Sequence, residues 1–206
     1  MTTIADFLEL VAQLEEVTQT DHGRYTKLEV AQRTFGYLWQ PHVSAPRTLV
    51  DTVLDLARPR VGESALDLYA GVGLFSAFLA ERVGSQGSVV AVEGDRAASR
   101  HCRDNLAAYP WARTVPGRVD RVLHRGVGHA DLVVLDPPRV GAKRQVVRAI
   151  AVLEPRAVVY VACDPASLAR DLAYFAEFGY RLAELRAFDL FPMTHHVECV
   201  ALLVPA

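Results

Sequence analysis

The sequence predicts an α/β fold built on a mostly parallel seven-stranded sheet, with helices on both faces and an antiparallel hairpin at its C-terminal end. Three observations predict it. From Ala65 onward, short β-rich runs alternate with helical segments. Each of those runs ends near a glycine, a proline or an acid. After Gly179 the alternation stops, and two β-rich runs follow with no helix between them.

In chain order, Ile4, Phe7, Leu8, Val11 and Leu14 recur at helical spacing and predict an amphipathic helix over 3–16. Gly23–Gln40 mixes β-branched and aromatic residues and reads as a short hairpin. A second helix is expected over Ala45–Ala57, ending before Pro59. Residues 1–40 are then a lead-in and 41–206 one domain. Strands are expected at Ala65–Tyr69, Ser88–Glu93, Asp131–Leu135 and Ala157–Ala162. Helices are expected between and after them at Leu74–Val83, Arg96–Ala108, Arg144–Leu153 and Ser167–Phe178. Tyr180–Phe188 and Val197–Val204 supply the terminal antiparallel pair.

Bulk properties narrow the function classes. A chain of 206 residues can bury one substantial core. No uncharged apolar run approaches the roughly 18 residues of a membrane span. Asp6 and Glu9 in the first ten residues, with no basic region, do not read as a signal peptide. Cys102, Cys163 and Cys199 follow no metal-ligand spacing, so no metal site is assigned, and an odd count argues against a disulfide framework. A reducing cytoplasm is the expected setting.

The formal charge of −2 neither favours nor excludes a nucleic-acid partner. Of the 22 basic residues only Lys27 and Lys143 are lysine. Arginine suits bidentate contacts to phosphate, although a GC-rich genome explains the same bias more simply. Two basic stretches stand out, Arg113–Arg125 and Arg139–Arg148, and a solvated helix face is the plainer reading of each.

Asp67-Leu68-Tyr69-Ala70-Gly71-Val72-Gly73 follows the first strand of the alternating region and precedes a helix. Glycines there let the backbone turn tightly and approach a ligand, and the helix start offers unpaired N–H groups. Twenty residues beyond Gly73, at the end of the next strand, Glu93 can accept hydrogen bonds from both ribose hydroxyls of a nucleoside cofactor. A dinucleotide fingerprint would need a third glycine where Ser76 stands. A glycine turn made only for packing is the simpler alternative.

Four further segments carry chemistry. They are Trp39-Gln40, Asp136-Pro137-Pro138-Arg139-Val140-Gly141, Ala162-Cys163-Asp164-Pro165, and Phe191-Pro192-Met193-Thr194-His195-His196-Val197-Glu198. In kind and order they resemble the motifs of the RNA uridine-5 methyltransferases, the family that makes 5-methyluridine, from about Thr34 to the C-terminus.

The resemblance implies a Rossmann-like class I methyltransferase fold and S-adenosyl-L-methionine as cofactor. It implies tRNA or rRNA as partner, with neither DNA nor membrane expected. It further implies Cys163 as a nucleophile toward carbon 6 of uracil and Glu198 as the base that removes the carbon 5 proton. Gln40, Asp67, Tyr69, Gly71, Gly73, Glu93 and Asp136 would line the cofactor site, with Asp136 also reaching the target base. Asp120, or Arg118 beside it, stands nearest the family's adenine contact. Arg139 is expected to lower the Cys163 pKa electrostatically. Cys102 and Cys199 read as small buried hydrophobes.

The chain departs from the family's pattern in three places. Leu38 stands where an aromatic would stack on the flipped base. Asp164 replaces an asparagine, bringing a negative charge expected to oppose thiolate formation. No N-terminal β-barrel or iron–sulfur cysteine cluster precedes the motifs, so weaker RNA affinity than in longer relatives is expected. A methyltransferase of another substrate, and an RNA- or partner-binding module that keeps the cofactor pocket, remain the alternative functions.

Overall fold

The computed structural model describes residues 18–21, 26–30, 33–37, 45–189 and 197–206. The helix expected over 3–16 lies outside them, as do Leu38, Trp39, Gln40 and the segment 191–196. Three short strands come first, β1 (Thr18–Asp21), β2 (Thr26–Val30) and β3 (Arg33–Tyr37), paired antiparallel in a sheet of their own. The expected hairpin over Gly23–Gln40 is thus part of a three-stranded sheet that starts five residues earlier.

Helix α1 (Ala45–Ala57) leads into the main domain, where strands β4 (Ser64–Leu68), β5 (Ser88–Glu93), β6 (Ala112–Pro116), β7 (Leu132–Leu135) and β8 (Ala157–Ala162) run parallel. Between and after them come α2 (Leu74–Val83), α3 (Arg96–Asn105), α4 (Val119–Arg125), α5 (Lys143–Ala151) and α6 (Pro165–Glu177). Strands β9 (Tyr180–Phe188) and β10 (Glu198–Pro205) close the sheet antiparallel, giving the order β6-β5-β4-β7-β8-β10-β9.

Alternation of side chains along each strand divides the core into two layers. Leu66, Val133, Leu135, Val158 and Tyr160 point into the layer covered by α4, α5 and α6. Ala65, Leu132, Val134, Val159 and Val161 point the other way, under α1 and α2. Strands β7 and β8 are buried along their whole length, as expected for parallel strands covered on both faces. Full burial of each valine or leucine there contributes roughly 1.5–3 kcal/mol.

Two details correct the element boundaries. The chain from 112 to 116 forms β6 at the sheet edge, although Arg113 and Pro116 hide any apolar alternation. Helix α6 begins at Pro165, two residues earlier than expected, because the Asp164 side chain caps it by accepting from the Ser167 N–H at 2.6 Å.

Strand order reverses between β4, whose successor β5 lies on one side, and β7, which lies on the other. The carboxyl edge at such a switch point opens a crevice for ligands. Asp67 and Tyr69 border it from β4, and Asp136 from β7.

Candidate active site

The turn after β4 is built around a buried carboxylate. Asp67 has no exposed surface, and its Oδ2 accepts a hydrogen bond from the Ser76 hydroxyl at 2.5 Å. Its Oδ1 is buried without a partner. Burial pushes the Asp67 pKa up to about 7 against the pull of the Ser76 hydroxyl, with the negative charges of Asp136 and Glu93 adding to the rise. An unpartnered buried acceptor of this kind calls for a donor that the described residues do not supply.

Tyr69 follows with φ 61°, a left-handed conformation unusual for a bulky residue. Its phenol is pushed up to about 12 by burial and by the neighbouring charges of Asp120 and Asp171, so it remains a hydrogen-bond donor at neutral pH.

The two glycines of the loop serve different ends. A Cβ at Gly73 would lie 2.8 Å from the Cys102 sulfur, so this glycine, at φ 87°, is required by the packing of α3. A Cβ at Gly71 would meet nothing within 4 Å. The Cα side of Gly71 therefore borders open space, where a ligand can approach. Packing explains Gly73, and only Gly71 retains the ligand reading on geometry alone.

Glu93 is fixed at the end of β5 by two backbone donors, Gly71 N–H at 2.8 Å and Asp95 N–H at 2.6 Å. Its carboxylate thereby spans the β4 and β5 turns, and each oxygen keeps a lone pair for a further donor. Asp120 sits in the first turn of α4, held by Arg118 at 3.1 and 2.9 Å, and this pairing holds its carboxyl below the usual range. Both act electrostatically on Tyr69, which places them on its side of the crevice.

The second half of the site lies across β7, β8 and β10. Cys199 on β10 pairs with Ala162 on β8, so Glu198 and Cys163 each lie one residue beyond the last pair, and the Glu198 charge acts on the Cys163 thiol. Glu198 is 2% exposed and burial raises its pKa to about 7. Asp136, half-buried at the end of β7, is raised to about 8 by desolvation and then by the Glu198 charge. The half-buried Cys163 is also raised, by burial first and then by Glu198 and Asp136.

Arg139 does pull the Cys163 pKa down, but burial and the two carboxylates outweigh it. The expectation that Arg139 leaves a lowered thiol pKa is therefore corrected. Asp164 points its charge at the α6 amides through the Ser167 N–H, where the helix start stabilises it. The same contact holds its own carboxyl below the usual range.

Sequence reasoning did not find the contact that fixes the Asp136–Gly141 loop. Asp171, fully buried on α6, accepts from Ala142 N–H at 2.7 Å and from the Tyr160 hydroxyl at 2.7 Å through Oδ2. Arg170 donates to its Oδ1 at 2.8 Å and to the Val140 carbonyl at 2.8 Å. A Cβ at Gly141 would lie 2.5 Å from both Asp171 Oδ2 and Arg170 Nη2, so only glycine fits there. An acid on the inner face of a predicted helix was the available signal. Ser76 was noted only as the missing third glycine, and the structure makes it the hydroxyl partner of Asp67.

Asp67, Glu93, Asp136, Cys163 and Glu198 are thus brought to one edge by the ends of five adjoining strands, with Asp120 and Tyr69 beside them. Gln40 lies outside the described residues. Cys102 and Cys199 are buried, as expected of packing residues. Among the described residues no cluster of histidine, cysteine and carboxylates suits a metal ion, and no helix is long and apolar enough to cross a membrane.

Comparison with known proteins follows the same lines. Residues 127–205 match the family model described as tRNA (Uracil-5-)-methyltransferase. An uncharacterized RNA methyltransferase of Streptomyces coelicolor is 51% identical over 191 residues, covering 90% of this chain and 42% of that protein. A 23S rRNA (uracil(1939)-C(5))-methyltransferase of Shewanella is 38% identical over 173 residues, covering 82% of this chain and 38% of that one. Among solved structures, the Pyrococcus abyssi tRNA (uracil-54, C5)-methyltransferase in complex with S-adenosyl-L-homocysteine aligns with a TM-score of 0.70 at 30% identity. That alignment covers 92% of this chain and 45% of the other. The chain spans less than half the length of these relatives.

Proposed function

The chain belongs to the RNA uracil-5 methyltransferase family, and from that membership we propose that it methylates carbon 5 of a uridine in tRNA or rRNA through a covalent cysteine–uracil adduct. The observation that carries this reading is that Cys163, just past the end of β8, lies within electrostatic reach of both Glu198 at the start of β10 and Asp136.

S-adenosyl-L-methionine supplies an electrophilic methyl group on a positively charged sulfur. The residues at the β4 and β5 edge fit it. Asp67 has an unpartnered buried oxygen suited to a cationic ligand, Gly71 leaves room for close approach, and Glu93 suits ribose hydroxyls. Gln40, Tyr69, Gly73, Asp120 and Asp136 complete the proposed set.

Carbon 5 of uracil is a weak nucleophile until carbon 6 is attacked. The half-buried Cys163 thiol gives up its proton to solvent, the resulting thiolate forms a bond to carbon 6, and the displaced π electron pair moves onto the carbonyl oxygen as an enolate. That enolate makes carbon 5 nucleophilic, and it takes the methyl group. Glu198 then removes the carbon 5 proton, and the returning electron pair expels the Cys163 thiolate.

The pKa pattern suits this sequence. With a pKa of about 7, Glu198 is poised to accept a proton at neutrality. With a pKa of about 8, Asp136 is mostly protonated there and can donate to the carbonyl oxygen as its charge grows. The raised Cys163 thiol keeps the free enzyme mostly in its unreactive form.

RNA substituted with 5-fluorouridine tests the adduct, because fluorine on carbon 5 cannot leave as a proton. Protein, cofactor and substituted RNA should give a complex that survives denaturation, absent in Cys163→Ala. Bound cofactor without any adduct on tRNA or rRNA would overturn the uridine reading.

A further inference from the structure

The two basic stretches, separate in the sequence, become neighbours in the fold. Helices α4 and α5 pack side by side on the same face of the sheet. Val119, Val122 and Leu123 on one helix, and Val146, Val147 and Ile150 on the other, face the core. The outward faces carry Arg121, Arg125, Lys143 and Arg148, all exposed.

Opposing charge on these faces is sparse. Asp120 is held by Arg118, and Glu177 is held by Arg144, whose guanidinium also lies over the Tyr174 and Phe178 rings at 5.5 and 5.3 Å. Arg125, Lys143 and Arg148 have no ion-pair partner among the described residues. On the opposite face, α1 pairs Arg47 with Asp51, and its Asp55 is held by Arg186 of β9. On that same opposite face α3 also carries exposed cations, Arg96, Arg100 and Arg103, so the surface on α4 and α5 is singled out by its place beside the Asp136–Ala142 loop and not by the charge balance of the layers.

The position of this surface gives it a partner. Both helices start at the carboxyl edge, α4 directly after the Arg118–Asp120 pair and α5 directly after the Asp136–Ala142 loop. From Arg118 to Arg125 the cations extend about 10 Å away from the site at the helical rise. Arginine at helix spacing along such a track suits successive phosphates of a nucleic-acid strand. A face made only for solubility would not need its cations aligned with the site.

We propose that Arg121, Arg125, Lys143 and Arg148 form a docking surface for the phosphodiester backbone of single-stranded RNA flanking the target nucleotide. The proposal rests on the methyltransferase reading for its substrate, but its geometry and its test are independent of catalysis. Phosphate contacts position the strand without reading its sequence. The surface therefore raises affinity for any RNA presented to the site, and base recognition resides elsewhere.

The test is RNA affinity measured against salt. Wild type is compared with Arg121→Gln/Arg125→Gln, with Lys143→Gln/Arg148→Gln and with the fourfold variant, on the intact chain and a labelled single-stranded RNA. Arg47→Gln on α1 together with Arg58→Gln just past its end is the control. Each phosphate contact removed should lower the slope of log affinity against log salt by roughly 0.7. The fourfold variant should bind at least about tenfold more weakly at low salt. Cofactor affinity and thermal unfolding should match wild type, and the α1 control should bind RNA unchanged.

In turnover assays the loss should appear in KM and not in kcat. Unchanged affinity and slope in the fourfold variant would overturn the proposal, as would equal loss in the α1 control. Failure of wild type to bind RNA at low salt would overturn it too. RNA binding through this face without any uracil adduct would instead preserve the surface and remove the methyltransferase reading.

Discussion

Asp67 combines full burial, one unbonded oxygen and a raised pKa. Burial favours its neutral form, so the folded chain holds a proton there that the unfolded chain releases near pH 4. The same sign applies to Glu198, at about 7, and to Asp136, at about 8. Stability from these groups is complete below the unfolded carboxylate range and is lost as pH rises through 7 to 8. The unliganded chain should therefore melt at a higher temperature at pH 5 than at pH 8. Asp67→Asn, which carries no titrating proton, should flatten that dependence between pH 5 and pH 8 by on the order of 3 kcal/mol. Melting curves of both proteins across this range check the sign. A wild-type curve that rises steadily from pH 5 to pH 8 would mean that the buried carboxylates are not protonated in the fold. Asp164 behaves differently, because the Ser167 amide stabilises its charged form. Asp164→Ala should cost about 1 kcal/mol of unfolding free energy through loss of the α6 cap, while Asp164→Asn keeps it.

At the scale of elements, the Asp136–Gly141 loop joins β7 to α5, and its conformation is set from α6. Asp171 bonds Ala142 N–H and Tyr160, while Arg170 bonds the Val140 carbonyl. Asp171→Ala would leave the buried Tyr160 hydroxyl without its acceptor, a loss of roughly 1–3 kcal/mol, while Ala142 N–H would keep only its 3.1 Å bond to the Tyr160 oxygen. Asp171→Asn can still accept through its side-chain oxygen and should lose less. Both should lower kcat more than cofactor affinity, because the loop carries Asp136 and Arg139 while the β4 turn is held separately by Glu93. Equal activity in Asp171→Ala and wild type would show that the loop keeps its shape without this contact. Gly141→Ala tests the same seam from the other side and should be at least as damaging, at φ 72° with no room for a methyl group. Elements of this kind divide what a sequence discloses. Strands β4, β5, β7 and β8 are legible because apolar runs end at glycine or acid. Helices α2, α3, α5 and α6 are legible as the segments that lie between and after those runs. β6 is not, since an edge strand reading Ala-Arg-Thr-Val-Pro has one face in water and little pattern to detect. The Asp171 seam is not legible either, because it joins residues 29 positions apart through a packing contact. The motifs single out Cys163 and Glu198, but their meeting at one edge and their raised pKa values depend on strand order and burial.

For the molecule as a whole, the proposed site is assembled from the ends of five strands in one sheet, and no single segment holds it. A ligand bound there contacts only the folded state, so its binding free energy adds directly to global stability. At a hundred times its dissociation constant, the cofactor should add about 2.7 kcal/mol. For a domain of this size that is a rise of about 5–10 °C in Tm. The effect should depend on pH in the opposite sense to the unliganded chain. As pH rises past 7, Asp67 and Glu198 become charged and destabilise the empty fold, yet the same charges attract a cationic ligand. At one fixed S-adenosyl-L-methionine concentration, the Tm gain should therefore be larger at pH 7.5 than at pH 5. Asp67→Asn should reduce the gain at pH 7.5 toward its value at pH 5. The neutral-sulfur analogue S-adenosyl-L-homocysteine separates the sulfonium from the rest of the cofactor, and its gain should vary less with pH. If both ligands stabilise equally at both pH values, the buried carboxylates act on the fold alone, and Asp67 and Glu198 contribute nothing electrostatic to cofactor capture.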